Sequence, residues 1–361
     1  MQVLDRYVLK QVSGSFLFGV CLFVAILSAG DLLFRLARMW LREGLPGEKV
    51  VAIFFLSLPQ LLVYVLPMAL LLGVLLVTGR MAADSEIIAL RSCGVSLARF
   101  FAPFFLFALW VCVGTILLQE VALPLSALKL KEIWSGRGFF WPVEERTFFR
   151  DVSEEGVERI FYVREIDSHH EILRGVVVQE YQKEKLRRII NATRARVADG
   201  QWVFEDGVYY EVNDRGEVER VVRFARERAK TQETISGILK TRKSPQEMSF
   251  AELRAYIAQE RARGQATGHL EVLLWHKTAI PFAALVFALL GVALGVASPR
   301  SGRALGIGLS VLIVFGYYVL FSIMSTLAEG GVLPPPLGTW IPNILGGLGG
   351  SMLLLRQDSA Q

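Results

Sequence analysis

The fold is decided by residues Val50–Gly79, whose sequence is VVAIFFLSLPQLLVYVLPMALLLGVLLVTG. This stretch contains no Asp, Glu, Lys or Arg. A helix of about 20 apolar residues crosses the hydrocarbon core of a membrane, so the stretch is long enough to span one. Proline interrupts helical hydrogen bonding, and Pro59 and Pro67 therefore predict breaks within the segment. The chain is predicted to be an α-helical membrane protein.

Outward from this segment, five more uncharged windows are long enough to cross a membrane. They are Gln11–Gly30, Phe100–Gln119, Thr278–Pro299, Ala304–Ala328 and Gly330–Leu355. In the last window, the helix is expected to begin near Leu337, after three consecutive prolines. Six predicted spans place both termini on the same side of the membrane.

The short loops between the predicted spans carry unequal numbers of basic residues. Those on the side of the termini are Arg6, Lys10, Arg80, Arg91, Arg99, Arg300, Arg303 and Arg356. Those on the other side are Arg35, Arg38, Arg42 and Lys49. Because Lys and Arg accumulate in cytoplasmic loops, both termini are predicted to be cytoplasmic. The long segment between spans three and four is then predicted to be periplasmic.

Charge is concentrated in that long segment. Residues 128–271 hold 26 basic and 25 acidic residues, which is 51 of the 73 charged residues (39 basic, 34 acidic) in the chain. The two signs balance, so there is no large basic field and nucleic-acid binding is excluded. The predicted domains are residues 1–127 with spans one to three, residues 128–271, and residues 272–361 with spans four to six.

The inserted segment reads mainly as short strands rich in Val, Ile, Tyr and Phe. They are Arg159–Ile166, Gly175–Tyr181, Arg188–Val197, Gln201–Phe204, Gly207–Val212 and Glu217–Phe224. Turn signals such as Asp206-Gly207 separate them. Short strands at this spacing predict an all-β, jelly-roll-like domain. A helix is expected to follow at Ser249–Arg263, with Ser249 as N-cap and Glu252 completing a capping box.

Motifs for nucleotide hydrolysis and for common enzymes are absent from the sequence. There is no G-x-x-x-x-G-K-[ST], H-E-x-x-H, C-x-x-C or G-x-S-x-G. The sequence therefore predicts no enzyme, no bound cofactor and no metal site. A membrane-embedded enzyme would need converging titratable residues, and the candidates Asp31, Glu120 and Lys277 are far apart in sequence.

Basic residues follow the first span at a helical spacing. Asp31, Arg35, Arg38 and Arg42 are four, three and four residues apart, which places them on one helix face. They are either interface anchors or a cationic surface for anionic headgroups, since arginine binds phosphate through two parallel hydrogen bonds. Lys277, at the mouth of span four, is a further candidate for substrate binding.

The loop after span two, Arg80–Arg99, is too polar to cross the membrane but is patterned like a helix. Its apolar residues are Ile87, Ile88, Leu90 and Val95, and its polar residues include Asp84, Ser85, Glu86 and Arg91. A short amphipathic helix at the cytoplasmic surface is predicted. It either lies in the membrane interface or docks on a cytoplasmic partner.

Several segments together resemble the LptF/LptG (YjgP/YjgQ) family of lipopolysaccharide export permeases. They are LDRYVLKQ from Leu4, SLPQLLVYVLPMALLLGVLLVTGRMAADSEIIALRSCGVSL from Ser57, and WHKTAIPFAALVFALLGVALGVASPRSGR from Trp275. The order of three spans, a β-domain and three spans matches as well. The runs EERTFF from Glu144 and IFYVREID from Ile160 look closer to LptF than to LptG.

The resemblance implies a bacterial inner-membrane subunit without its own ATPase. It would pair with a sibling permease, bind the LptB ATPase dimer below and meet LptC at the periplasmic side. Spans one and five would form a lateral gate for lipopolysaccharide, with Arg35 and Arg38 near its phosphates. The residues expected to couple to the ATPase are Asp84, Ser85, Glu86, Ile87, Leu90 and Arg91. The alternative is a membrane scaffold or mechanotransmission subunit that binds a periplasmic protein and moves no lipid.

Overall fold

The computed structural model describes residues 3–135, 147–152, 157–167, 172–182, 185–198, 201–213, 218–230, 244–262, 266–297 and 303–359. The chain divides into two compact units. The helical unit comprises Met1–Leu128 and Ser244–Gln361. The strand unit comprises Lys129–Lys243.

The described helices are long in the predicted spans and short between them. They are α1 (Val3–Leu27), α2 (Leu33–Glu43), α3 (Gly47–Ala83), α4 (Glu86–Ser92), α5 (Leu97–Leu117), α6 (Leu123–Ser135), α7 (Phe250–Ala262), α8 (Gly268–Ala297), α9 (Arg303–Glu329) and α10 (Pro335–Ser359). Two π-helical turns, Ser28–Leu32 and Leu118–Ala122, join α1 to α2 and α5 to α6.

Among the described residues, five helical stretches are long and apolar enough to cross a membrane by length and composition. They are Val3–Gly30, Gly47–Ala83, Leu97–Leu130, Gly268–Val296 and Gly306–Glu329. The predicted sixth span is the helix α10, which is 25 residues long and therefore about 37 Å in length. It is not among the five, because its sequence is diluted by Gly, Thr and Asn. Its crossing of the membrane stays a prediction.

Helix α3 continues through both of its prolines, so the breaks predicted at Pro59 and Pro67 are wrong. Its 37 residues extend for about 55 Å, well beyond the hydrocarbon core. Neighbouring helices compensate for proline in membrane helices, and Pro67 is itself buried against them. Of the apolar segment of α3, 72% is buried inside the protein, compared with 22% for α1 and α9.

Glycines set the closest helix contacts around α3. A Cβ at Gly19 of α1 would lie 3.0 Å from the carbonyl oxygen of Ala69, and one at Gly73 would lie 3.0 Å from the backbone nitrogen of Phe16. On the α8 side, Gly295 packs directly on Thr78. Small residues therefore serve, at these positions, close packing of helices within the chain.

Helix α9 is attached to its neighbours by side-chain hydrogen bonds. The Tyr317 hydroxyl donates to Asn343 Oδ1 of α10 at 2.9 Å, and Asn343 Nδ2 donates to the Ala279 carbonyl of α8 at 2.8 Å. His276 Nε2 lies 2.9 Å from Ser325 Oγ. These buried polar contacts hold α8, α9 and α10 together.

The return helix α7 begins with the predicted capping box. The Ser249 backbone N–H donates to Glu252 Oε2 at 2.8 Å, and the Glu252 N–H donates to Ser249 Oγ at 3.2 Å. Leu253 and Ile257 of α7 are buried together with Leu270. The return helix therefore belongs to the helical unit, whereas the predicted domain boundaries placed it with the strands up to residue 271.

The described residues of the strand unit form one antiparallel sheet, which confirms the inserted all-β segment. Its strands are β1 (Thr147–Val152), β2 (Val157–Asp167), β3 (Ile172–Gln182), β4 (Lys185–Ala198), β5 (Gln201–Val212) and β6 (Val218–Lys230). Each strand pairs with its neighbours in sequence, in the order β1-β2-β3-β4-β5-β6. Among the described strands this is a meander, without the crossovers that define a jelly roll.

Strand β5 joins two strands that the sequence separated by a turn at Asp206-Gly207. The strand instead continues through this position with its register to β4 and β6 unchanged, and Asp206 adopts φ 52° within it. A Cβ at Gly207 would lie 2.6 Å from the carbonyl oxygen of Asn191, so only glycine fits between β4 and β6. The core of the sheet includes Trp202 and Phe204, which are fully buried.

Candidate functional site

The end of α3 turns sharply into the short helix α4. The Asp84 and Ser85 N–H groups donate to the carbonyls of Arg80 and Ala82, at 2.9 and 3.1 Å, and so close the last turn of α3. Ser85 then adopts the left-handed conformation, with φ 57°, which stops the helix. Because of this break, the predicted amphipathic helix in Arg80–Arg99 is only the seven residues of α4.

Five polar residues link α4 to α1 and α3. The Arg80 guanidinium lies 3.4 Å from Asp84 Oδ2 and 3.4 Å from Glu86 Oε1. It donates to the Tyr7 hydroxyl at 3.1 Å and also to Gln11 Oε1. The Tyr7 hydroxyl is 3.1 Å from each Glu86 carboxylate oxygen and has one hydrogen to donate to them. We refer to these five residues as the three-helix network.

The two faces of α4 differ. Ile87 is 5% exposed and packs in the core of the helical unit with Leu90. Ile88 points outward and is 61% exposed. Of the predicted coupling residues, Ile87 and Leu90 therefore anchor α4, and Glu86 fixes it to Arg80 of α3. Asp84 pairs with Arg80 at the end of α3 itself. Arg91 is half-buried.

Sequence reasoning omitted four residues from this site, which are Tyr7, Gln11, Arg80 and Ile88. Ile88 was noticed only as one of several apolar residues, and its outward position follows from the start of α4 at Glu86. Tyr7 and Arg80 are 73 residues apart, and no spacing in the sequence connects them. The resemblance to a coupling helix predicts a role for α4, but it predicts none for helix α1, which α4 contacts.

A shallow groove of about 460 Å³ separates the beginning of α1 from α4. Its walls include Leu4, Met81 and Leu90, and the Glu86 carboxylate lies at its edge. The groove is mostly apolar and carries one negative charge. Such a surface fits an apolar side chain with a neighbouring cation from a partner protein.

A second ion pair fastens the beginning of α1 to α5. Arg99 Nη2 lies 2.8 Å from Asp5 Oδ1 and 3.0 Å from Asp5 Oδ2. The helix α5 itself is capped by Ser96, whose hydroxyl accepts from the Arg99 N–H at 3.3 Å. The beginning of α1 is therefore held at two points, by Arg80 of α3 through Tyr7 and by Arg99 of α5 through Asp5.

The predicted basic stripe lies mainly on α2. Arg35 and Arg38 are exposed, whereas Leu36 and Met39 are each 4% exposed and face the protein. This is the pattern of an amphipathic helix. The side chains of Asp31 and Arg42 lie outside the described residues.

Lys277 is buried, with 8% of its surface exposed, rather than available at the membrane surface. Glu120 and Glu252 are the carboxylates that act on it electrostatically. Both oxygens of Glu120 accept from the Phe250 N–H, at 3.0 and 3.1 Å, at the start of α7. The structure thus brings Glu120 and Lys277 together although they are distant in sequence, and it uses Glu120 to hold α7.

Metal chemistry has no obvious centre in the part of the chain that the structure describes. No group of three or more His, Cys, Asp or Glu side chains in those residues is placed to hold a metal ion.

Comparison with known proteins agrees with this architecture. The LptG lipopolysaccharide export system permease protein of Haemophilus influenzae is 24% identical over 366 residues, covering 96% of each chain. The LptF protein of Escherichia coli K12 is 20% identical over 318 residues, covering 83% of this chain and 81% of the relative. Relatives of both kinds match, so the leaning toward LptF is not resolved.

The family match covers nearly the whole sequence. Residues 6–356 match the family described as lipopolysaccharide export system permease LptF/LptG. Together with the five apolar helices, this makes the protein an inner-membrane protein. The chain belongs to the LptF/LptG family of lipopolysaccharide export system permeases.

Proposed function

We propose that this chain is the permease subunit through which lipopolysaccharide leaves the inner membrane, powered by the separate ATPase LptB. In this proposal a sibling LptF or LptG subunit completes the pathway, and both termini are cytoplasmic. The strand unit lies in the periplasm and passes the lipid to LptC. The observation that carries the proposal is the build of α4, which exposes Ile88 outward and is tied inward to two membrane helices.

The lateral gate of the proposal is formed by α1 and α9. These are the least buried of the five candidate spans, each with 22% of its apolar segment inside the protein. Both pack on the central helix α3. Helices with so much free apolar surface are suited to face lipid or a second subunit.

Energy would enter the permease through the exposed face of α4. Movement of a bound ATPase would push on Ile88, and the three-helix network would carry the displacement to α1 and α3. Extraction needs an external energy source, because each methylene that leaves hydrocarbon costs about 0.8 kcal/mol. The sequence contains no P-loop that could supply this energy within the chain.

The strand unit would receive the lipid. Its apolar core is covered by a single meander, whose outer strands β1 and β6 each have one edge unpaired in the described sheet. On β6, Val218 and Val221 are 55% and 57% exposed. An edge strand with exposed valines is suited to pairing with a strand of a partner such as LptC.

Photo-crosslinking tests the proposed pathway. A photoreactive residue at Phe18 of α1 or Val311 of α9 should form adducts with lipopolysaccharide, and the yield should change on addition of ATP to the assembled transporter. Trp110 of α5, which is 70% exposed, provides the matched control on another helix. Adducts with proteins alone at Phe18 and Val311 would favour the scaffold and contradict the permease.

A further inference from the structure

A groove of about 800 Å³ lies over α3, between the first half of α1 and the beginning of α9. Its lower end, near the N-terminus of α1, is polar and includes Lys10, Gln11 and Ser15. Its upper part is apolar and includes Phe18 and Ile307. The groove therefore changes from polar to apolar along the membrane helices. A lipid molecule in one leaflet changes in the same way, from its polar headgroup to its apolar acyl chains.

The charge at the lower end of the groove comes from Lys10. Arg80 also lines the groove, but Asp84 and Glu86 lie 3.4 Å from it and compensate its charge. The Lys10 side chain is exposed, and its ammonium has no hydrogen bond or ion pair with any residue in the described ranges. One cation thus remains available where a headgroup would lie.

We propose that this groove binds one anionic phospholipid, with its phosphate at Lys10 and its acyl chains along Phe18 and Ile307. A lysine ammonium binds phosphate as a point charge, and Gln11 and Ser15 add polar groups beside it. A soluble anion would leave the apolar upper part unused. A zwitterionic lipid would bring its own cation next to Lys10.

The groove also has room for the lipid at Gly14. A Cβ at this position would meet nothing within 4 Å, so the wall of α1 is open there. Placing the lipid in the cytoplasmic leaflet rests on the orientation in the proposed function. Binding of the lipid does not depend on that orientation.

Native mass spectrometry of the full chain with its co-purifying subunits tests this site. The complex is titrated with phosphatidylglycerol and, separately, with phosphatidylcholine. In Lys10→Gln the apparent Kd for the first phosphatidylglycerol should rise about fivefold, as expected for one basic residue near a lipid phosphate. Lys49→Gln removes the same charge at the opposite end of the membrane helices and should leave this Kd unchanged.

A second variant tests whether the lipid occupies the open space beside Gly14, whereas Lys10→Gln tests the charge of the lysine. Gly14→Leu adds a side chain whose Cβ meets nothing within 4 Å at the open part of the groove, and it should also weaken phosphatidylglycerol binding. Wild-type binding in both Lys10→Gln and Gly14→Leu would overturn the site. An equal loss for phosphatidylcholine in Lys10→Gln would overturn the headgroup assignment.

The phospholipid site and the proposed permease function can be refuted independently of each other. Crosslinks between lipopolysaccharide and Phe18 in the Lys10→Gln protein would show that export does not need this lipid. Absence of those crosslinks in the unaltered protein would contradict the permease and leave the phospholipid titration as it stands.

Discussion

Replacing Gly295 by alanine should destabilise the contact between α3 and α8. A Cβ at Gly295 would collide with the Thr78 hydroxyl and lie 2.6 Å from the Thr78 Cβ. Carbon atoms pack favourably at about 3.5–4.0 Å, so the two helices would have to separate by roughly 1 Å. The side chain cannot simply turn away, because Thr78 is fully buried.

Three contributions set the expected magnitude. Overpacking of a core contact costs about 1–3 kcal/mol. The Thr78 hydroxyl lies 2.7 Å from the Val74 carbonyl and 3.2 Å from that of Gly291, and displacing it costs about 1 kcal/mol more. Alanine is about 1 kcal/mol better than glycine in a helix, which offsets that loss. The net loss in the free energy of unfolding is therefore about 1–3 kcal/mol.

Thermal unfolding of the purified protein in detergent measures the effect. Gly308→Ala is the matched control in α9, where an added Cβ meets nothing within 4 Å, and it should be neutral or stabilising by up to about 1 kcal/mol. Adding Thr78→Ala to Gly295→Ala should recover part of the loss. Equal stability of the Gly295→Ala and Gly308→Ala proteins would refute the proposed packing.

Three further changes test the functional surfaces. Arg35→Glu combined with Arg38→Glu should lower lipopolysaccharide crosslinking at Phe18; an unchanged yield would leave both as membrane anchors. Ile88→Asp should abolish co-purification of the ATPase while the unfolding temperature stays the same, because the side chain is 61% exposed; retained ATPase would remove α4 as the docking helix. Tyr7→Phe deletes a hydroxyl worth about 0.5–1.5 kcal/mol to the three-helix network and should reduce ATP-dependent lipid release with the ATPase still bound; undiminished release would show that coupling bypasses α1.

Hydropathy was sufficient to predict where the long helices lie, because a membrane selects apolar length directly. The capping box at Ser249 was also predictable, since its two partners are three residues apart. Proline was misleading at Pro59 and Pro67. Its usual effect as a helix breaker assumes water around the helix, whereas α3 is surrounded by other helices.

The parts of the site that could not be predicted depend on contacts between distant segments. Nothing local relates Tyr7 to Glu86, or Glu120 to Lys277. The sequence Asp206-Gly207 is typical of a turn, but pairing of β5 with β4 and β6 before and after it keeps the strand continuous. Burial of Lys277 follows from the helices packed around α8, not from its place beside Trp275 and His276.

The two helices beside the phospholipid groove are secured to the protein in different ways. Helix α1 meets α3 backbone to backbone at Gly19 and Gly73. If α1 slid along α3, these close backbone contacts would be lost. Helix α9 is held by hydrogen bonds that involve the side chains of Tyr317 and Ser325, which side-chain rotation can release one at a time. If the passage widens during a transport cycle, α1 and α3 are expected to move together, and α9 is the helix that separates from them.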